Sequence, residues 1–171
     1  MIVRPEIPAD YEAVAQVVEA AFGRPNEAQL VELIRTSDNY VPELALVAEE
    51  DGRVVGHAMF SYVTLRGAEE RRVLCLAPVA VAPERQRSGV GSALVRHGIR
   101  LAEGRGEPLI IVEGHPGYYP RFGFERARSH GIEPPSPDIP DAAFMVLRLS
   151  RYDGRYRGQV LFPAAFAVAE A

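Results

Sequence analysis

Residues 83–94 read PERQRSGVGSAL. Gly89 and Gly91 stand where the chain leaves a proline-started turn and enters an apolar pattern of helical period. The first N–H groups of a helix have no acceptor inside it. Glycine has no Cβ, so an anion can come close to such a backbone, and the positive end of the helix dipole favours a bound phosphate. Gln86 and Arg87 can close over the outside of that group, since a guanidinium matches phosphate oxygens well. Taken alone, a glycine-rich helix start ringed by solvated arginines fits equally well, because short glycine motifs recur by chance.

A second group of reactive side chains follows the apolar run PLIIV at 108–112: Glu113, His115 and the pair Tyr118-Tyr119. A tyrosine hydroxyl keeps its proton at neutral pH and can donate it. Histidine titrates near neutrality, and a glutamate can take a proton directly or through a water. His57, in VGHAMFS, is a third candidate base. The plainer readings are solvated loop residues at 113 and 115, a packed histidine at 57, and a core-capping ring at Tyr118. They are the simpler account of each residue taken singly.

Composition removes several chemistries. All nineteen basic residues are arginine. A phosphate loop of the Walker type therefore lacks its lysine, and no side chain can form a Schiff base. The single cysteine, Cys75, lies in an apolar strand pattern and reads as a buried thiol. Histidines 57, 97, 115 and 130 show no metal-ligand spacing, which predicts no metal. His97, on the expected inner face of its helix, reads as a packed residue. A net charge of −4 gives no basic field for nucleic acid or a membrane surface. The opening MIVRPEIPADYEAV lacks a basic stretch followed by an apolar one, and no apolar run reaches a membrane span. These features point to a cytoplasmic protein. Its 171 residues suit one domain with a sizeable core.

The elements that must position these groups follow from periodicity. MIVRPE reads as a strand. Helices are expected over 10–22, with Val14, Val18 and Phe22 inward, and over 25–36, with Leu30, Leu33 and Ile34 inward. Asp51-Gly52 between two β-prone runs is a hairpin signal. RVLCLAPVAV at 72–81 is a strand in which Pro78 cannot donate to a ladder, so a bulge or broken pairing is expected there. A helix over 89–103 should turn Val90, Ala93, Leu94, His97 and Leu101 inward. Strands follow at 108–112, after the turn GYYPRFGF, at AFMVLRL, and in the tail GQVLFPAAF. The loop 130–141 carries Pro134, Pro135, Pro137 and Pro140, and fits either an acceptor-site cover or a rigid surface excursion. The pattern suggests a mixed α/β sheet flanked by helices.

VAVAPERQRSGVGSAL resembles motif A of the GNAT superfamily of acyl-CoA-dependent N-acyltransferases, with Gln86-x-x-Gly89-x-Gly91 as its core. YYPRFGF resembles the superfamily's Y-x-x-x-G-F segment, starting at Tyr119, and both occur in the family's order. VVGHAMFSYV and AFMVL extend the similarity toward the YhbS-like branch over nearly the whole chain. The resemblance implies one domain over 1–171, with a core to about 150 and a C-terminal strand and tail over 151–171. It implies a GNAT-like fold of about seven strands, the bulged central strand splayed from its neighbour. Acetyl-CoA would be co-substrate: its pantetheine against Val79 and Val81, its diphosphate on the amides of Arg87, Ser88, Gly89, Val90, Gly91 and Ser92 beside Gln86. An amide at Val79 or Ala80 would stabilise the oxyanion, and Tyr119 would contact the thioester and protonate the leaving sulfur. Glu113 and His115 remain candidate bases, although some members of the superfamily need none. The expected reaction is direct acetyl transfer to a primary amine on a small molecule or peptide. The alternative is a non-catalytic acyl-CoA-binding regulatory module. The tail 158–171, ending in FAVAEA, could pack against a second copy in a homodimer, with the oligomeric state left open by the sequence.

Overall fold

The computed structural model describes residues 1–170. They form two compact units, and three long elements contribute a part to each.

The first unit comprises residues 1–61, 77–101 and the segment from Ala164 on. It begins with β1 (Ile2–Pro5), α1 (Tyr11–Phe22) and α2 (Asn26–Arg35). α1 buries Val14, Val17 and Val18. It stops at Gly23, whose left-handed φ of 71° brings its N–H to the Glu19 carbonyl at 2.8 Å. Phe22 ends the helix 43% exposed, outside the buried stripe expected to include it. α2 buries Glu27, Leu30, Val31 and Ile34. That stripe leaves Leu33 outside, so Glu27, paired with Arg24, continues it in place of the expected leucine.

β2 (Ala45–Glu50) and β3 (Arg53–Arg66) form the predicted hairpin. Asp51 and Gly52 have φ of 51° and 76°, the paired positive values of a two-residue turn that matches strand twist. A register shift lies between Ala48 and Glu49. Residues 77–81 of β4 (Glu70–Val81) run beside β3, with the Ala77–Pro78 peptide cis.

α3 (Val90–Gly104) is rotated from its expected orientation. Val90, Leu94, Val95 and Gly98 are buried, whereas Ala93, His97 and Leu101 are only half-buried. Gly98 sets this rotation, because a Cβ there would overlap the ring of Phe60 on β3. The helix therefore turns its glycine to the sheet. His97 is left beside Arg100, and burial followed by that guanidinium lowers its pKa.

On β3, His57 lies opposite Val47 and is fully buried. Burial, then the charge of Arg35, pulls its pKa down to about 3, with the Leu46 backbone acting weakly the other way. Neither ring nitrogen has a well-formed hydrogen bond among the described residues. Arg35 is itself paired with Glu6 at 2.7 Å and lies 3.7 Å over the Tyr11 ring. The chain's end returns to this unit. In α4 (Ala167–Glu170), the carbonyls of Ala169 and Val168 accept from Arg24 at 2.7 Å and Asn26 at 3.0 Å.

The second unit comprises residues 62–76 and 102–163. Its strands are the start of β4, β5 (Leu109–Glu113), β6 (Glu125–Arg126), β7 (Ile132–Glu133), β8 (Phe144–Arg148) and β9 (Gly158–Leu161). β5 is buried from Leu109 to Val112, as its unbroken apolar run predicts. It pairs in parallel with β4 through Leu74↔Ile110 and Cys75↔Ile111, and antiparallel with β8 along its whole length. The parallel ladder ends at Cys75, so Val112 and Glu113 pair only with Met145 and Phe144. β9 runs antiparallel to the end of β3 and takes β7 on its other side. Gln159 donates to the Pro134 carbonyl at 3.3 Å, tying the proline-rich segment to β9. Hydrogen bonding follows the order β1-β2-β3-β4-β5-β8-β6 with β7 and β9 off this path. It is a mixed sheet of nine strands among the described residues, two of them only two residues long. No helix among the described residues is long and apolar enough to cross a membrane.

Gly98→Ala should destabilise the fold by about 1–3 kcal/mol, the usual cost of overpacking. Phe60→Leu in the same chain should recover part of that loss, and urea midpoints of the single and double variants check it. His57 should make the fold acid-sensitive. Below about pH 6.5 the unfolded chain takes up a proton that the folded chain refuses until about pH 3, so stability falls through that window. One such proton contributes a slope of about 1.4 kcal/mol per pH unit. His57→Gln should flatten that part of the curve whatever its effect at pH 8, and an unchanged slope would remove His57 as the cause.

Candidate functional site

In the first unit the site begins where β4 ends. Ala82 N–H donates to the Val55 carbonyl at 2.9 Å, and the Ala80 carbonyl faces Gly56, so both even-numbered residues turn their backbone toward β3. Backbone groups alternate along a strand, so Val79 and Val81 turn theirs to the opposite side. Among the described pairings of this unit no strand occupies that side. Ala80 is thereby engaged with the sheet, whereas Val79 and Val81, both half-buried, lie along an edge that no strand of this unit covers.

A 3-10 turn, Pro83–Arg85, carries the chain from the strand into the motif loop. Arg85 is anchored to Glu50 at 2.6 Å. Gln86 does not stand over the loop as its position suggested. Its amide folds back and donates to the Val81 carbonyl at 3.1 Å, fastening the loop to the strand end. The Ser88 hydroxyl donates to the Arg85 carbonyl. Arg87 has φ 62° and Gly89 φ 91°. Left-handed residues alternating with others gather successive N–H groups into a concavity that suits anions. Glycine adopts this conformation without strain, whereas in arginine it is costly and persists only where the surroundings enforce it.

The first bond into α3 runs from Ala93 N–H to the Gly89 carbonyl at 3.0 Å. The amides of Val90 and Gly91 precede it and have no acceptor within the helix. Residues 86–89 are exposed, Gly91 and Ser92 half-exposed, and Val90 is buried at 2%. The motif loop thus presents backbone donors and the Arg87 guanidinium to solvent, while its apolar member holds the helix down.

In the second unit the chain leaves β5 at Glu113 and turns sharply. Gly114 N–H donates to the Ala143 carbonyl at 2.9 Å, and the His115 carbonyl accepts from Tyr118 at 3.0 Å and Tyr119 at 3.4 Å. Tyr119 is packed edge-on by Tyr118 and Phe124, at centroid distances of 5.1 and 5.7 Å. A Cβ at residue 114 would collide with the Tyr119 ring, so Gly114 makes room for it. Burial, then Tyr118 and Cys75, raises the Tyr119 pKa above the ordinary phenol range. The phenol therefore stays protonated. Cys75, 1% exposed, is pushed up to about 12 by burial and then by Glu113, an inert thiol. Glu113 and His115 are exposed.

Sequence reasoning missed three contributors. Arg85 anchors the loop, Gly56 lies under the helix start, and Gly114 seats the tyrosine. The second and third show only as small residues beside large ones, a signal too common to read before the fold is known.

A family model described as an acetyltransferase (GNAT) domain matches residues 3–127. The uncharacterized N-acetyltransferase YjhQ of Escherichia coli K12 is 38% identical over 135 residues, 78% of this chain and 74% of that protein. Its companion YhbS is 34% identical over 151 residues, 88% of each. The crystal structure of Escherichia coli YhbS in complex with CoA matches with a TM-score of 0.88 at 31% identity, covering 97% of this chain and 91% of that one. A GNAT family acetyltransferase from Brucella melitensis in complex with acetyl-CoA matches at 0.79 and 34%, covering 96% and 97%. With the motif loop, the strand edge beside it and these relationships together, the chain belongs to the GNAT family of acetyltransferases.

Proposed function

We propose that the protein transfers the acetyl group of acetyl-CoA to a primary amine by direct attack, without an acetyl-enzyme intermediate. The observation that carries this reading is the continuous run of outward-facing backbone at the end of β4 and the start of α3. Val79 and Val81 would pair with the pantetheine amides, and the amides of residues 87–92 with the diphosphate. Such donors are held by the fold and need not reorganise during the reaction. Crystal structures of two relatives, one with CoA and one with acetyl-CoA, support this assignment.

The nucleophile must be a neutral amine, and an alkylamine is mostly protonated at pH 7. Its nitrogen attacks the thioester carbonyl carbon, the C–S bond breaks, and the sulfur takes a proton from Tyr119. The amine's own proton leaves to Glu113, directly or through a water, and His115 relays protons between solvent and the tyrosine. Among the exposed residues at the end of β5, Glu113 is favoured as the base because a carboxylate can take a proton directly or through a water. Raising the phenol's pKa does not defeat it as a donor. Burial raises thiols too, as Cys75 shows, so the departing sulfur in a dry site is also a stronger base than in water. Val79 N–H is the better oxyanion donor, since the Ala80 backbone is committed to β3. Cys75, a free thiol that is buried and held protonated, is unsuited to carry an acetyl group.

Tyr119→Phe should lower kcat about 10²-fold or more, within the range for general acids, with the KM for acetyl-CoA within about two-fold. An unchanged kcat removes Tyr119 from proton transfer. Glu113→Gln should slow the reaction about ten-fold at pH 7. That ratio should shrink toward unity near pH 10, where the amine is neutral without help. A ratio constant across pH would show that Glu113 does not take the amine's proton.

A further inference from the structure

We infer that Gly56, a residue that touches no reacting group, sets the spacing between the diphosphate-binding amides and the pantetheine-binding edge. This rests on the acetyl-CoA reading above and adds a positioning residue to it. A Cβ at position 56 would lie 2.8 Å from Val90 Cγ1, 2.9 Å from Leu94 Cδ1 and 3.2 Å from the Ala80 carbonyl oxygen. Those three neighbours are not an arbitrary set. Val90 is the first residue of α3, Leu94 lies one turn on, and Ala80 stands between Val79 and Val81 on β4. The α-carbon of Gly56 is thus the point at which the helix that offers anion donors and the strand that offers an outward edge rest on a common support.

The contact has little give. Val90 and Leu94 are 2% and 0% exposed. Valine is β-branched and has one strongly preferred rotamer in a helix, so its Cγ1 cannot swing aside as the end of a long side chain would. The Ala80 oxygen is backbone. An added methyl group would therefore be accommodated mainly by lifting the first turn of α3 away from β3, by up to about an ångström. The loop cannot simply follow the helix, because Gln86 ties it to Val81 at the end of β4 and Arg85 ties it to Glu50. Acetyl-CoA spans both halves of the site with one covalent chain. Each half keeps its own donors when the helix start moves, but the distance between them changes, and a misplacement near 1 Å can cost about 10²-fold in rate.

The test separates the halves. Gly56→Ala should raise the Kd for acetyl-CoA at least about ten-fold by calorimetry. The Kd values for 3′-phospho-ADP and for S-acetylpantetheine, each spanning one half, should stay within about two-fold. Adding Val90→Ala, which removes the nearest atom, should return most of the acetyl-CoA affinity. A folded Gly56→Ala protein that binds acetyl-CoA as the wild type does would overturn the inference, as would equal losses for both fragments. If Gly56→Ala does not fold, Val90→Ile presses the same contact from the helix side and carries the same expectations. A wild type that binds no acetyl-CoA would overturn the acetyl-CoA reading and this inference with it.

Discussion

The seating of α3 on β3 is the constraint from which the rest of the first unit follows. Unfilled amides at a helix start are useful to a ligand only if the helix cannot drift, and here its position is fixed by close approach. Gly56 lies under the first two turns and Gly98 lies over the ring of Phe60. Interiors packed to crystal density leave no slack at such points. At its other end the motif loop is fastened by polar contacts instead, Arg85 to Glu50 and Gln86 to the Val81 carbonyl. The backbone between these fastenings includes a left-handed arginine, a conformation seldom held without enforcement by its surroundings.

Buried backbone groups must find partners, and a strand edge or helix start left open inside a protein costs free energy. The fold meets this by exposing the open segments: residues 86–89 are at the surface, and Val79 and Val81 are half-buried. Solvent can reach these groups, and Gln86 already serves the Val81 carbonyl. The second unit solves a different problem, which is to hold one phenol in place. It does so with rings on its edges and a glycine where any side chain would intrude. Neither arrangement needs a long flexible side chain to be ordered at the moment of binding, which limits the entropy lost.

Much of this was legible in the sequence wherever the signal is local. Asp51-Gly52 specified its turn because both central residues accept positive φ. The glycines at 89 and 91 marked the helix start, and the unbroken apolar run at 108–112 marked a strand covered on both faces. Illegible were the features set by contact between distant segments. α3 faces the sheet with Leu94, Val95 and Gly98 rather than with Ala93, His97 and Leu101, because a glycine reads as a gap in an apolar pattern although it allows the closest packing. Leu33 was misplaced for a related reason, since the inner stripe of α2 is completed by an ion-paired glutamate. The fold-back of Gln86 onto Val81 depends on a side-chain choice that residue type does not determine.

The titratable groups argue for where charge can exist during the reaction. Burial pulls His57 down to about 3, pushes Cys75 up to about 12, and raises Tyr119 and Glu6, so each is driven toward its neutral form. Charge is buried where it is paired, as in Arg35 with Glu6, whereas Cys75 is kept as a thiol and His57 as a neutral ring. That setting is compatible with the proposed reaction, in which a neutral amine attacks and a neutral phenol donates. The groups able to exchange protons with water, Glu113 and His115, stand at the exposed end of β5. In the proposed reaction these exposed groups would exchange protons with water, and the Tyr119 phenol, kept protonated by its surroundings, would be the donor.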